Sequence, residues 1–217
     1  MRDTITIDSV FLRYGKHEVL RGAYLKLEQR RVVGLLGRNG CGKSSLLKVL
    51  TGQLSAQNKA VLFNGRYLKD VFKVPGLINY LPQHDCHPRS LSLSRTLRFY
   101  GVDEVEFAER YPFFNGRLLK RLGELSGGEL RLFEVLTVLE AETKFTILDE
   151  PFSHIMPVHV DMLQERITQL KARKGILVTD HHYERVLDVA DDLAVMVGGT
   201  IRPIAGREGL RKYGYLR

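Results

Sequence analysis

The stretch Gly37 to Ser45, reading GRNGCGKSS, lies between a continuous apolar run at Arg31 to Leu36 and a helical pattern at Lys43 to Leu50. Two glycines with four residues between them, followed by Lys and Ser, form the pattern of a phosphate-cradling loop. Such a loop needs a buried strand to deliver the chain and a helix to receive it, which restricts the fold to helices packed on a mostly parallel sheet. Gly37, Gly40 and Gly42 let the backbone turn its amides inward, and the helix presents its N-terminus to phosphate. Lys43 adds a mobile positive charge. The Ser44 hydroxyl suits Mg²⁺, a cation that keeps to oxygen ligands shared with phosphate. Arg38, Asn39, Cys41 and Ser45 complete the candidate loop.

A second feature lies far along the chain. Leu125 to Leu130, reading LSGGEL, puts Ser126, Gly127, Gly128 and Glu129 directly ahead of an apolar helical run, so it offers another set of unpaired amides to an anion. Ser126 and Glu129 also form an S-x-x-E capping pattern, predicting a firm helix start. One nucleotide does not need two cradles. Each is expected to hold half of a nucleotide site, with a second polypeptide supplying the rest.

The remaining pattern fits the same architecture. Phe145 to Leu148, Ile176 to Thr179 and Leu193 to Val197 read as strands covered on both faces. Leu132, Val135, Leu136 and Leu139 recur at helical spacing, as do Val160, Leu163, Ile167 and Leu170, and both stripes read as core. Gly52 is placed to end the helix that begins at Lys43. The first thirty residues look like antiparallel strands, and Asn64-Gly65 signals a hairpin turn. Residues from about 88 to 123 read as a small helical insertion. The apolar strand Phe145 to Leu148 ends in Asp149 and Glu150, beyond the carboxyl end of a parallel strand, where ligands bind in open sheets. Asp149 is placed to hold a Mg²⁺ shell, and Glu150 to polarise an attacking water as a general base.

With 217 residues, the chain has the length of one ordinary domain. No apolar stretch approaches the ~20 residues needed to cross a bilayer. The start, MRDTITIDSV, carries charge where a secretory leader needs an apolar segment, so a cytosolic location is expected. Cys41 and Cys86 are the only cysteines and are expected to be reduced thiols. The formal net charge of +8 attracts nucleic acid, anionic lipid and acidic partners alike. Its excess includes Arg110, Arg117, Lys120 and Arg121, and a C-terminal group of Arg202, Arg207, Arg211, Lys212 and Arg217. Neither group alternates with aromatic residues as a single-strand platform would.

Taken in order, these motifs resemble those of the nucleotide-binding subunit of an ABC transporter, over essentially the whole chain. The resemblance implies a P-loop NTPase core with a mixed, mostly parallel sheet, an N-terminal antiparallel β portion and a shortened helical subdomain. One cassette would span 1–217, its core at about 1–87 and 130–217 and its helical part at about 88–129. ATP and Mg²⁺ are the implied ligands. Gly37 to Ser45 matches the Walker A loop, and Tyr14 resembles the aromatic that stacks on adenine. Gln83, in YLPQ, resembles the glutamine that senses Mg²⁺ and contacts the permease. Ser126, Gly127, Gly128 and Glu129 match the signature that acts on the partner's nucleotide. Asp149 and Glu150 match the Walker B end, and His181 the switch histidine at the γ-phosphate. Two cassettes would close head to tail around ATP, and hydrolysis would drive a separate transmembrane permease from the cytoplasmic face of the membrane.

The chain departs from the family pattern at Glu129, where glutamine is usual, at Met156, where an aspartate is usual, and at Thr137, where arginine is common. Only 43 positions separate Gln83 from Ser126, consistent with a trimmed helical part. Two alternatives are a soluble ABC-type ATPase acting on nucleic acid or the ribosome and a non-catalytic partner cassette. The first rests only on net charge, and Glu150 argues against the second. Nucleic acid is therefore not the expected partner.

Overall fold

A computed structural model describes residues 2–84 and 86–216; Met1, Asp85 and Arg217, the last a member of the basic C-terminal group, lie outside the described residues. The fold is mixed α/β, as expected. Strands β3 (Val32–Leu36), β6 (Ile78–Leu81), β7 (Phe145–Asp149), β8 (Gly175–Thr179) and β9 (Asp192–Val197) are parallel, and β10 (Thr200–Ile204) adds an antiparallel edge, in the order β10-β9-β3-β8-β7-β6. Pro203 is tolerated on β10 because an edge strand does not need every amide.

Alternation along β3 divides the core. Val33 and Leu35 face α1 (Lys43–Leu50) and the antiparallel sheet, built from β1 (Thr4–Tyr14), β2 (His17–Glu28), β4 (Asn58–Phe63) and β5 (Arg66–Tyr67) in the order β2-β1-β4-β5. Val32 and Leu36 face the opposite cluster, formed with α4 (Gly127–Glu140), α5 (Pro157–Leu170) and α6 (Tyr183–Val189). The four apolar positions of each stripe read from the sequence, on α4 and on α5, are buried in this cluster. Burying one such Leu or Val side chain contributes about 1.5–3 kcal/mol, so these two faces hold the layers together.

Asn64-Gly65 turns the β4–β5 hairpin, and Gly52 follows the end of α1 with φ +77°. Residues 93–124 contain α2 (Leu93–Phe99), α3 (Glu104–Arg110) and two short 3₁₀ turns, around Phe107, Phe114 and Phe133. Helix α7 (Gly206–Lys212) follows β10. The carboxyl ends of β3, β6 and β7 lead respectively into the glycine-rich loop, Gln83 and Glu150, which assembles one edge of the molecule for chemistry.

Candidate functional site

The glycine-rich loop runs from β3 into α1. Gly42 caps α1 at φ +109°, a conformation that a side chain would strain, and its missing Cβ also leaves room for Val19, which would otherwise lie 2.9 Å away. The first amides of α1 therefore point outward without intrahelical acceptors. Lys43 is nearly buried, and its Nζ donates to the carbonyls of Gly37 at 2.7 Å and Arg38 at 3.4 Å. The ammonium is thus held over the loop by the backbone that an anion would face.

A cleft of about 460 Å³ opens here, lined by Asn39, Gly40, Gly42, Lys43, Ser44 and Ser45 of the loop and by Tyr14, His17, Val19, Gln83 and Glu150. Tyr14, at the end of β1, is half-exposed at the mouth. Cys41 and Arg38 lie on the other side of the loop, beside Met196 and Tyr215. His17 and Val19 were not singled out from the sequence. They reach the cleft only because the β1–β2 hairpin folds back over the loop. A larger groove of about 530 Å³ lies at the amino ends of β6, β7 and β8, but its central carboxylate, Glu140, is already paired with Arg110 and Arg166.

Glu150 stands one residue beyond β7 at φ +53°, a backbone conformation uncommon for a residue with a side chain. Its amide donates to the Thr179 carbonyl at 2.8 Å. Its Oε2 accepts from Gln83 Nε2 at 3.0 Å and Ser153 Oγ at 3.3 Å, and His181 Nδ1 lies 3.6 Å away. Gln83, Glu150 and His181 therefore meet around one carboxylate. Asp149 sits beneath them, 1% exposed, and does not line the cleft. Its two oxygens accept from the Thr179 hydroxyl at 2.7 Å and the Tyr80 hydroxyl at 3.2 Å. Burial, and then the neighbouring Asp149 carboxylate, push the Tyr80 phenol well above its ordinary pKa, so it remains a donor.

Two further groups fix this corner. Asp180 accepts from the amides of Phe152 at 3.1 Å and His182 at 2.9 Å, tying the segment after Glu150 to the His181 loop. Burial raises the Asp180 pKa while these amides oppose the shift. From α4, Arg131 donates to the carbonyls of Pro82 at 2.8 Å, Asp149 at 2.7 Å and Glu150 at 3.0 Å. Only its charge in an otherwise apolar stretch of helix marked it in the sequence. On the other side, Arg38 Nη2 donates to the Gly214 carbonyl at 2.5 Å, and the Tyr215 hydroxyl donates to the His181 carbonyl at 3.5 Å.

The signature corner lies elsewhere. Ser126 caps α4, its Oγ accepting from the Glu129 amide at 3.3 Å while Glu129 Oε2 accepts from the Ser126 amide at 2.7 Å. Glu129 Oε1 takes Arg117 at 3.0 Å, so the carboxylate is directed to its own helix start, and these bonds lower its pKa. Gly128 has no room for a Cβ, which would come within 2.9 Å of the His154 carbonyl. Ser126 and Gly127 are exposed, and none of the four signature residues lines the cleft.

In the cleft, Ser44, Gln83 and Glu150 offer only hard oxygen donors toward a cation, a donor set that fits Mg²⁺ rather than a thiophilic metal. The amides and Lys43 offer positive charge toward phosphate.

A family model described as ABC transporter matches residues 20–153. The lipopolysaccharide export system ATP-binding protein LptB of Haemophilus influenzae is 30% identical over 217 residues, covering 91% of this chain and 88% of the relative. The probable branched-chain amino acid transport ATP-binding protein LivF of Archaeoglobus fulgidus is 26% identical, covering 87% of this chain and 86% of the relative. A solved ATP-binding subunit of an ABC transporter superposes with a TM-score of 0.81 at 23% identity, covering 97% of this chain and 93% of that one. A bacterial Atm1-family ABC exporter with ATP bound gives 0.85 at 17% identity, covering 98% of this chain and 40% of that one. These likenesses between structures extend to the fold.

Proposed function

The chain belongs to the ABC transporter family as an ATP-binding subunit, and on that premise we propose that two cassettes close around ATP and hydrolyse it to drive a membrane permease. The observation that carries this reading is the separation of the two cradles. One lines a cleft with Glu150, while Ser126 and Gly127 stand exposed outside it. A nucleotide in the cleft then has one side open to a second cassette, which lends its own signature corner.

In the proposed site Tyr14 stacks on the base, and Lys43 with the loop amides holds the phosphates. Ser44 and Gln83 hold Mg²⁺, with Asp149 acting from beneath through the strand end. The bound cation neutralises charge developing on the transferred phosphoryl group. Glu150 orients and deprotonates the attacking water, and His181 faces the same carboxylate from the adjoining loop. ATP favours the closed pair only by binding it more strongly than the open one. No helix among the described residues is long and apolar enough to cross a membrane. In this reading, separate permease subunits receive the work of closure and the chain attaches to their cytoplasmic face.

Glu150→Gln tests the arrangement. The variant keeps the cradle, loses the base and accumulates as an ATP-bound dimer on sizing. A monomer at saturating ATP, with nucleotide bound, would overturn the shared site.

A further inference from the structure

Behind Gln83, three unlike donors converge from two elements. Cys86 Sγ lies 3.2 Å from His87 Nδ1, His87 Nδ1 lies 2.9 Å from Glu134 Oε1, and Cys86 Sγ lies 3.6 Å from Glu134 Oε1. Cys86 and His87 follow Gln83 in the chain, and Glu134 lies two turns into α4, whose N-terminus carries Ser126. We propose that Cys86, His87 and Glu134 form a site for a borderline transition-metal dication such as Zn²⁺, fastening the Gln83 segment to the signature helix.

Four observations converge on it. The donor set of sulfur, imidazole and carboxylate is the one zinc takes, and metal–ligand distances of about 2.0–2.3 Å put tetrahedral ligand separations at about 3.3–3.6 Å. The three separations here are within about half an ångström of those edges.

Glu134 is fully buried and its second oxygen, Oε2, has no hydrogen-bond partner among the described residues. The nearest positive group is Arg131 Nη1 at 4.0 Å, whose guanidinium is engaged with three carbonyls. An unpaired buried carboxylate oxygen is costly, and a dication offers the counter-charge that Arg131 supplies only in part.

His87 is already braced as a metal-binding imidazole commonly is. Its Nε2 lies 2.9 Å from the Tyr100 hydroxyl, and the rings meet edge to face at 5.5 Å. With Nδ1 on the metal, the ring proton sits on Nε2 and is donated to Tyr100, which fixes the tautomer and the ring plane.

Cys86 is exposed, so an ion arrives directly from solvent. Coordination takes Cys86 as its thiolate, releases the thiol proton to solvent and leaves a fourth position for water. The site differs from the oxygen-donor cleft in its chemistry and takes a different metal.

Uptake of Co²⁺ by the full chain without nucleotide tests the proposal independently of ATP hydrolysis. The expected result is one equivalent bound, with a near-ultraviolet thiolate-to-cobalt band that Zn²⁺ displaces. Cys86→Ser abolishes the band, and His87→Ala weakens uptake at least tenfold, as loss of a supporting ligand does. His182→Ala, which alters the separate Asp180–His181–His182 cluster, leaves uptake unchanged. Absence of the band in the unaltered protein overturns the proposal, as does uptake that survives both Cys86→Ser and His87→Ala and falls with His182→Ala.

Discussion

The guanidinium of Arg131, carried on α4, holds the main-chain carbonyl of Glu150 at 3.0 Å. The same side chain holds Asp149 and Pro82, so one buried cation spans the acidic strand end and the segment leading to Gln83. Burial lowers its pKa and Glu134 opposes that shift. The helix that presents the signature corner is thereby fastened to the proposed base.

Arg131→Lys keeps a cation but loses the fork that reaches three carbonyls. A small displacement of Glu150 then lowers kcat roughly ten- to a hundred-fold, while KM for ATP changes little because the loop and Lys43 are untouched. Steady-state kinetics read both constants. An equal loss of ATP affinity would show that Arg131 supports the cleft as a whole rather than positioning Glu150. Arg131→Met leaves Glu134 buried without its cation, and denaturant melts should show a loss of about 3–5 kcal/mol.

The glycine-rich loop and the acidic strand end were legible because each is a local pattern: β3, α1, β7 and β8 appear where their apolar runs and breakers put them. Strand β6 was not, since INYL is four residues long and half polar; Asn79 is stable there only because its side chain donates to the Val138 carbonyl at 2.7 Å. Strand β10 was hidden by Pro203, which reads as a breaker until the strand is known to be an edge. In the site, Tyr14 and Gln83 come to the cleft by their positions at strand ends. Tyr80, Arg131 and Tyr215 act through partners 69, 18 or more and 34 residues away, distances over which no periodicity carries a signal.

Tyr215 and Arg38 join the C-terminal segment to opposite sides of the site. Tyr215→Phe keeps the ring contact with Tyr183 and removes only the bond to the His181 carbonyl. One neutral hydrogen bond contributes about 0.5–1.5 kcal/mol, and this one is long, so kcat should fall roughly threefold with ATP affinity unchanged. Single-turnover hydrolysis beside equilibrium nucleotide binding separates the two effects. An unaltered turnover rate would remove Tyr215 from any role in holding His181.

Glu129 adds a charge beside a proposed phosphate, but both its oxygens are occupied, one by the Ser126 amide and one by Arg117. Glu129→Gln retains the capping geometry, so ATP-driven dimerisation should shift by no more than about twofold. Glu129→Ala frees the Ser126 amide and loses an acid at a helix start, costing about 0.5 kcal/mol of stability. Arg117→Ala leaves the carboxylate unneutralised next to the partner's phosphate and weakens the ATP-bound dimer more than either change at Glu129. Sedimentation of the three variants in the Glu150→Gln background gives the order. A dimer strengthened by Glu129→Gln to the same degree as Arg117→Ala weakens it would mean that the charge, and not the cap, governs this corner.

Lys174 lies at the far end of α4, 3% exposed, with its Nζ donating to the carbonyls of Leu139 at 2.7 Å and Ala141 at 2.6 Å. It closes the helix that Ser126 opens. Burial pushes its pKa down to about 8 from 10.5. Below the folded value both states hold the proton and the desolvation penalty is fully present. Between about 8 and 10.5 the folded chain has released the proton while the unfolded chain retains it, so the unfolded state binds more protons and stability rises with pH. The gain from this one group is about 3 kcal/mol across the window. Lys174→Met cannot titrate, so the stability of the wild-type chain minus that of the variant in urea melts should rise from about pH 8 toward pH 10. A gap that stays level over that range would mean that Lys174 enters the folded state with an ordinary pKa, its ammonium reached by solvent rather than sealed under the end of α4.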